Sequence, residues 1–170
     1  MGEPEIRADQ SVELLKALHI LTRDGKMNQD SRRKLKQVYH LYQFIEPLLL
    51  QLNELQRPFS LVDHGAGKSY LGFILYDLFF KQRDNGAMIH GIELREELVD
   101  RARQLAEQLR FERMRFHQLS VADAIASNDL PEQVELVTAL HACDTATDDA
   151  ISFALNKRAR FIVLVPCCQA

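Results

Sequence analysis

The sequence predicts an α/β protein with a Rossmann-like, doubly wound and mainly parallel sheet. Three observations predict it. Apolar runs of strand length alternate with stretches of helical periodicity, several of those runs are apolar almost throughout, and a glycine-containing loop follows the first of them. A strand that is apolar on both sides has to be covered on both faces. Right-handed crossovers between parallel strands then wind helices onto each face.

The elements follow in order. Val12, Leu14, Leu15, Leu18, His19 and Leu21 mark a first helical pattern. A polar stretch over 22–30 containing Gly25 separates it from a longer one, which starts near Asp30 or Ser31, both good N-cap types. This second helix runs through Leu35, Val38, Tyr42, Ile45 and Leu48 to about Leu55, and Pro47 inside it predicts a kink or a break. After Pro58 the period changes. Strands are expected over 59–63, 87–93, 114–119, 134–140 and 160–166, and helices over 69–82, 96–110, 121–126 and 147–157. The expected organisation is an N-terminal helical extension over 1–30 and one domain over 31–170.

The chain has 170 residues, enough for one domain with a real core. Its net charge of −3 excludes a nucleic-acid module that works by electrostatics alone, although nucleic acid as a substrate remains open. The basic excess gathers at Arg32, Arg33, Lys34 and Lys36, read either as a solvated helix face or as a contact for an anion. No apolar run approaches the ~20 residues that span a bilayer, and the first ten residues hold no secretory core, so no membrane is expected. Three cysteines, two of them adjacent at Cys167 and Cys168, make a poor disulfide framework, which points to a reducing cytoplasm.

In such a sheet the ligand lies at the carboxyl ends of the strands, beside the point where strand order reverses. The loop there reads Asp63-His-Gly-Ala-Gly-Lys-Ser69. A nucleotide P-loop needs glycine where Val62 stands, and a dinucleotide fingerprint needs it where Tyr70 stands. The remaining pattern is an acid two residues before G-x-G. Glu93 closes the next strand, 26 residues after Gly67, where a carboxylate can accept from both hydroxyls of a ribose. Its structural reading is an acid favoured at a helix N-terminus. His64, inside the loop, reads as structural.

Taken together, Asp63-His-Gly-Ala-Gly-Lys68, Gly91-Ile-Glu93, Leu140-His-Ala-Cys-Asp144 and Pro166-Cys-Cys168 resemble the motifs of one subgroup of class I S-adenosylmethionine-dependent methyltransferases. That subgroup includes bacterial and eukaryotic methyltransferase-like proteins, and eukaryotic tRNA ribose methyltransferases carry a similar P-C-C. The resemblance covers about residues 31 to 170. It implies that Asp63, Gly65, Ala66 and Gly67 hold the methionine end of the cofactor, with Lys68 beside its carboxylate and Glu93 on its ribose. It implies an adenine contact at Ser120, Val121 or Asp123, and cofactor-lining roles for Leu140 and His141. His141, Asp144, Pro166 and Cys167 are the catalytic or acceptor-pocket candidates. Imidazole titrates near 6.5, which suits His141 to a general base. No metal is expected, because adjacent cysteines rarely share one ion and no C-x-x-C is present.

A sheet of that class has seven strands and five are visible, so the expectation is that either the chain lacks the C-terminal ones or a partner supplies the missing edge. The expected function is methyl transfer from S-adenosylmethionine to an acceptor, with RNA favoured by the resemblance and the basic cluster. The competing readings are a non-catalytic cofactor-binding or interaction module and an NAD-dependent oxidoreductase.

Overall fold

The structure is a computed structural model that describes residues 5–140 and 145–165. Eleven elements follow one another among the described residues: α1 (Val12–Ala17), α2 (Gln29–Asn53), β1 (Ser60–His64), α3 (Tyr70–Leu78), β2 (Met88–Glu93), α4 (Glu96–Gln108), β3 (Met114–Gln118), α5 (Val121–Ala126), β4 (Leu136–Leu140), α6 (Thr145–Asn156) and β5 (Phe161–Val165). The sheet order is β3-β2-β1-β4-β5, and all four pairings are parallel. The expected Rossmann-like architecture is therefore present, and the order reverses between β1 and β4.

Alternation along the strands divides the core by face. One cluster joins Leu61, Ile89, Met114 and Phe116 to the buried side chains of α1, α2, α3 and α4. The other packs Val62, Ile92 and Val137 against Ala124 of α5 and Phe153 of α6. Leu14, Leu15, Ile20 and Leu21 belong to the first cluster, so the N-terminal segment shares its core with α2 and α3.

Several element boundaries differ from the sequence expectation. The cap of α2 is Asn28, not Asp30 or Ser31: its Oδ1 accepts from the Ser31 N–H at 2.8 Å and the Ser31 hydroxyl at 2.9 Å. Pro47 does not break α2, which continues to Asn53. Pro47 and Gln43 both lie on the exposed face, so the Gln43 carbonyl that loses its helical partner is open to water. α3 stops at Leu78 rather than continuing to Gln82. Phe79 leaves helical geometry at φ −127° and a single 3-10 turn follows over Phe80–Gln82, so that Phe79 and Phe80 both enter the core.

α1 stops at Ala17, where the periodicity ran on to Leu21. His19 takes a left-handed φ of 56°, and the Ile20 and Leu21 N–H groups both donate to the Leu15 carbonyl at 2.9 and 3.1 Å. This turn satisfies the helix end while burying Ile20 and Leu21.

Candidate functional site

Asp63 and Thr138 stand opposite each other in the β1–β4 ladder, at the reversal of strand order. The Thr138 hydroxyl donates to Asp63 Oδ1 at 2.9 Å, and the Gly72 N–H of α3 also serves this carboxylate. Asp63 is 2% exposed. Burial pushes its carboxyl up to about 7, and the two hydrogen bonds only partly oppose that.

The loop after β1 is held from both sides. The Ala66 N–H donates to the Ile92 carbonyl at 2.8 Å, and the Ser69 N–H donates back to Ala66 at 2.7 Å. Gly65 and Gly67 have φ of 63° and 56°, a left-handed backbone that any side chain would strain. A Cβ placed on Gly65 would meet no atom within 4 Å. The loop therefore presents bare backbone to open space at the mouth of the crevice.

Glu93 closes β2 against this loop. Its Oε2 accepts from the Gly67 N–H at 2.8 Å. Its Oε1 accepts from the Arg95 N–H at 3.0 Å and from Arg95 Nε at 2.9 Å. Burial favours the neutral acid, yet the bonds from Arg95 and Gly67 outweigh it and hold Glu93 below its ordinary value. The two acids of the crevice are thus driven in opposite directions.

His64 is the last residue of β1 rather than part of the loop. It is buried with its ring 5.5 Å from Phe153, its Nε2 has no partner among the described residues, and burial lowers its pKa. Beyond β3, the Ser120 side chain accepts from the Asp123 N–H at 3.2 Å and donates to Asp123 Oδ2 at 2.6 Å. Both are therefore engaged as the cap of α5. Val121, beside them, is half-buried, as is Leu140 at the end of β4. A larger depression of about 640 Å³ runs along the outer side of β3 and α4, away from this crevice.

A model of the methyltransferase domain matches residues 33–170. The chain belongs to the methyltransferase domain family. Comparison with curated proteins returns no match.

Among solved structures, this methyltransferase domain is similar to a putative sarcosine dimethylglycine methyltransferase from Galdieria sulphuraria. The identity is 14%, the TM-score 0.53, and the match covers 86% of this chain and 56% of that one. It is also similar to TrmK of M. capricolum in complex with S-adenosyl-homocysteine, at 10% identity and TM-score 0.48, over 71% and 52% of the two chains. An rRNA methylase from Streptococcus thermophilus matches at 14% identity and TM-score 0.45, over 59% and 55%. The first of these likenesses is one of fold, and the chain spans about half the length of these structures.

The residues present fit S-adenosylmethionine, the cofactor of methyltransferases of this fold. Gly65, Ala66 and Gly67 form an open cradle, and Glu93 stands at its side with a charged carboxylate. Lys68 is exposed at the end of the loop. His141, Asp144, Pro166 and Cys167 lie outside the described residues, as do Cys143 and Cys168.

Three participants escaped the sequence reading. Thr138 carried a signal, as the one hydroxyl in the apolar run Val134-Glu-Leu-Val-Thr-Ala-Leu140. Arg95 and the Gly72 N–H carried none, because their roles arise where the chain folds back onto Glu93 and Asp63.

Proposed function

We propose that the chain binds S-adenosylmethionine in the crevice between β1, β2 and β4 and transfers its methyl group to an acceptor, RNA being the acceptor class favoured. The observation that carries this reading is the charged Glu93 carboxylate, fixed by the Gly67 amide beside an open glycine loop. When bound, S-adenosylmethionine supplies a methyl group activated on a sulfonium. The work of this chain is alignment, which methyl transfer chiefly needs.

Glu93 would accept hydrogen bonds from the ribose hydroxyls. Its position is set by Gly67, so the ribose site and the loop move as one unit. Gly65 and Gly67 would let the methionine end approach the backbone, with Lys68 close to its carboxylate. Asp63 and Thr138 hold the floor of the loop, tying β1 to β4. Leu140 would border the cofactor, with Val121 and the cap residues Ser120 and Asp123 on the adenine side. His141, Asp144, Pro166 and Cys167 follow from the motif resemblance as acceptor-side residues, with His141 as the candidate general base. A cytoplasmic location and the assignment of 31–170 as the cofactor-binding domain, preceded by a helical extension over 1–30, belong to the same reading.

Calorimetric titration with S-adenosylhomocysteine tests it, with NAD and ATP as controls. The expected result is micromolar binding of the first alone. Glu93→Ala should weaken it about ten- to a hundredfold, the worth of hydrogen bonds to a charged group, and Gly67→Asp should weaken it as well. Unchanged affinity in both variants, or binding of NAD in its place, would overturn the assignment.

A further inference from the structure

A cleft of about 320 Å³ opens where the end of α1, the glycine loop, α3 and α4 meet. Leu98 and Leu105 line it, with Arg101 between them on the same face of α4. Lys68 enters from the loop, Tyr70 from the start of α3, and His19 from the left-handed turn that closes α1.

The cations of this cleft are uncompensated. Among the described residues no carboxylate lines it. Among the described residues neither Lys68 nor Arg101 makes an ion pair or a side-chain hydrogen bond. By contrast, Arg33, Lys34, Arg57, Lys81, Arg95 and Arg103 each pair with an acid. Both border an apolar floor formed by Leu98 and Leu105, where an anion would supply the missing counter-charge. Burial raises the Tyr70 phenol to about 12, so it keeps its proton and remains a donor. The rim continues towards α2, where Lys34 Nζ donates to the His19 carbonyl at 2.9 Å and shares Asp30 with Arg33.

We propose that this cleft holds a backbone phosphate of single-stranded nucleic acid, with Arg101 supplying the charge and Tyr70 an aromatic surface beside it, while Lys68 stands at the edge shared with the cofactor's carboxylate. Unpaired cations flanked by an aromatic ring are what single strands use, since a phosphate meets the charge and a base meets the ring. The planar guanidinium of Arg101 suits phosphate in particular. The volume lies at the small end of ligand pockets, with room for about one nucleotide. The inference rests on the reading of the chain as a methyl-transfer domain acting on RNA, and adds the surface that holds the acceptor beside the glycine loop.

The test uses a fluorescently labelled single-stranded oligoribonucleotide, titrated by anisotropy at several salt concentrations, with S-adenosylhomocysteine binding measured in parallel. Arg101 is exposed, so Arg101→Glu and Arg101→Gln leave the core intact. Arg101→Glu should weaken RNA binding about tenfold and make the salt dependence shallower by about one phosphate contact. Arg101→Gln should fall in between, Arg101→Lys should restore most of the affinity, and S-adenosylhomocysteine binding should not change. Equal RNA affinity and salt slope in wild type and Arg101→Glu overturn the proposal, as does a wild-type chain that binds S-adenosylhomocysteine but no RNA. Arg101-dependent RNA binding without S-adenosylhomocysteine binding would sustain the cleft and sink the cofactor reading.

Discussion

Asp63 and Glu93 are both acids at strand ends, and their surroundings shift their carboxyls in opposite directions. Glu93 has four donor contacts, from the Arg95 and Gly67 backbones and the Arg95 guanidinium, and stays ionised. Asp63 has a hydroxyl and one amide, too little to offset full burial, so its carboxyl rises from an ordinary 3.8 to about 7. Between those two values the folded chain keeps the proton and the unfolded chain has lost it. The stability that Asp63 contributes is therefore complete below about pH 4 and is lost as pH rises towards 7. Asp63→Asn keeps the shape and removes the titration. Urea unfolding from pH 4 to pH 8 should show wild type losing a few kcal/mol relative to the variant. Parallel curves for the two proteins would refute the raised carboxyl.

At the scale of elements, three helices end in one and the same turn without a glycine. His19, Arg110 and Arg158 have φ of 56°, 57° and 53°. In each case the following N–H reaches back to close the last turn: Ile20 to Leu15, Phe111 to Ala106 and Ala159 to Ala154, all within 2.8–2.9 Å. Glycine is the usual stop signal at such a position, so the periodicity alone extended the helices to Leu21, Arg110 and Lys157, beyond their ends at Ala17, Gln108 and Asn156. A left-handed backbone costs an ordinary residue about 1 kcal/mol. Arg110 is exposed and makes no ion pair among the described residues. Arg110→Gly should therefore raise stability by about 0.5–1 kcal/mol, read as a higher urea midpoint with an unchanged slope. A lower midpoint would show that the entropy of the added glycine wins.

Across the whole molecule, a buried acid is one of the ties that fasten the N-terminal segment to the domain, beside its apolar core contacts and the Tyr39 and Lys81 hydrogen bonds to it. Asp77 on α3 is 0% exposed, accepts from the Ser11 N–H at 3.2 and 3.0 Å, and pairs with Lys81 at 2.6 Å. Ser11 is also the cap of α1, so one carboxylate fixes where that helix starts. Asp77→Ala should cost about 2 kcal/mol, because it strands the Ser11 N–H and breaks the Lys81 pair, leaving Lys81 only the Asp9 carbonyl and solvent. Hydrogen exchange should then quicken first at Leu18 and Ile20 while β1 keeps its protection. Uniform quickening across the domain would mean that α1 is no separate unit of stability. The outer edge of the sheet is managed at this scale too. Arg103 and Arg115 donate to the Phe116 and Met114 carbonyls of β3 at 2.8 and 2.9 Å, occupying acceptors that another strand would otherwise use.

Periodicity and punctuation were enough to reveal the five strands, the alternating helices and the loop at the first strand end, because apolar runs and a G-x-G turn are local properties of the chain. Asp63, Gly65, Gly67 and Glu93 were legible for the same reason, each lying at the end of a strand that its own neighbours define. What only the tertiary structure decided is who meets whom. Asp63 has its carboxyl raised because the closed sheet buries it, with Thr138, 75 residues away, and Gly72 only partly opposing the rise, and Glu93 is charged because the chain returns Arg95 and Gly67 to it. Arg101, His19 and Lys68 are far apart in sequence, and only the packing of three elements brings them to one cleft. Local sequence sets backbone preference and burial pattern, whereas charge state and binding depend on distances that exist only once the sheet has closed its order.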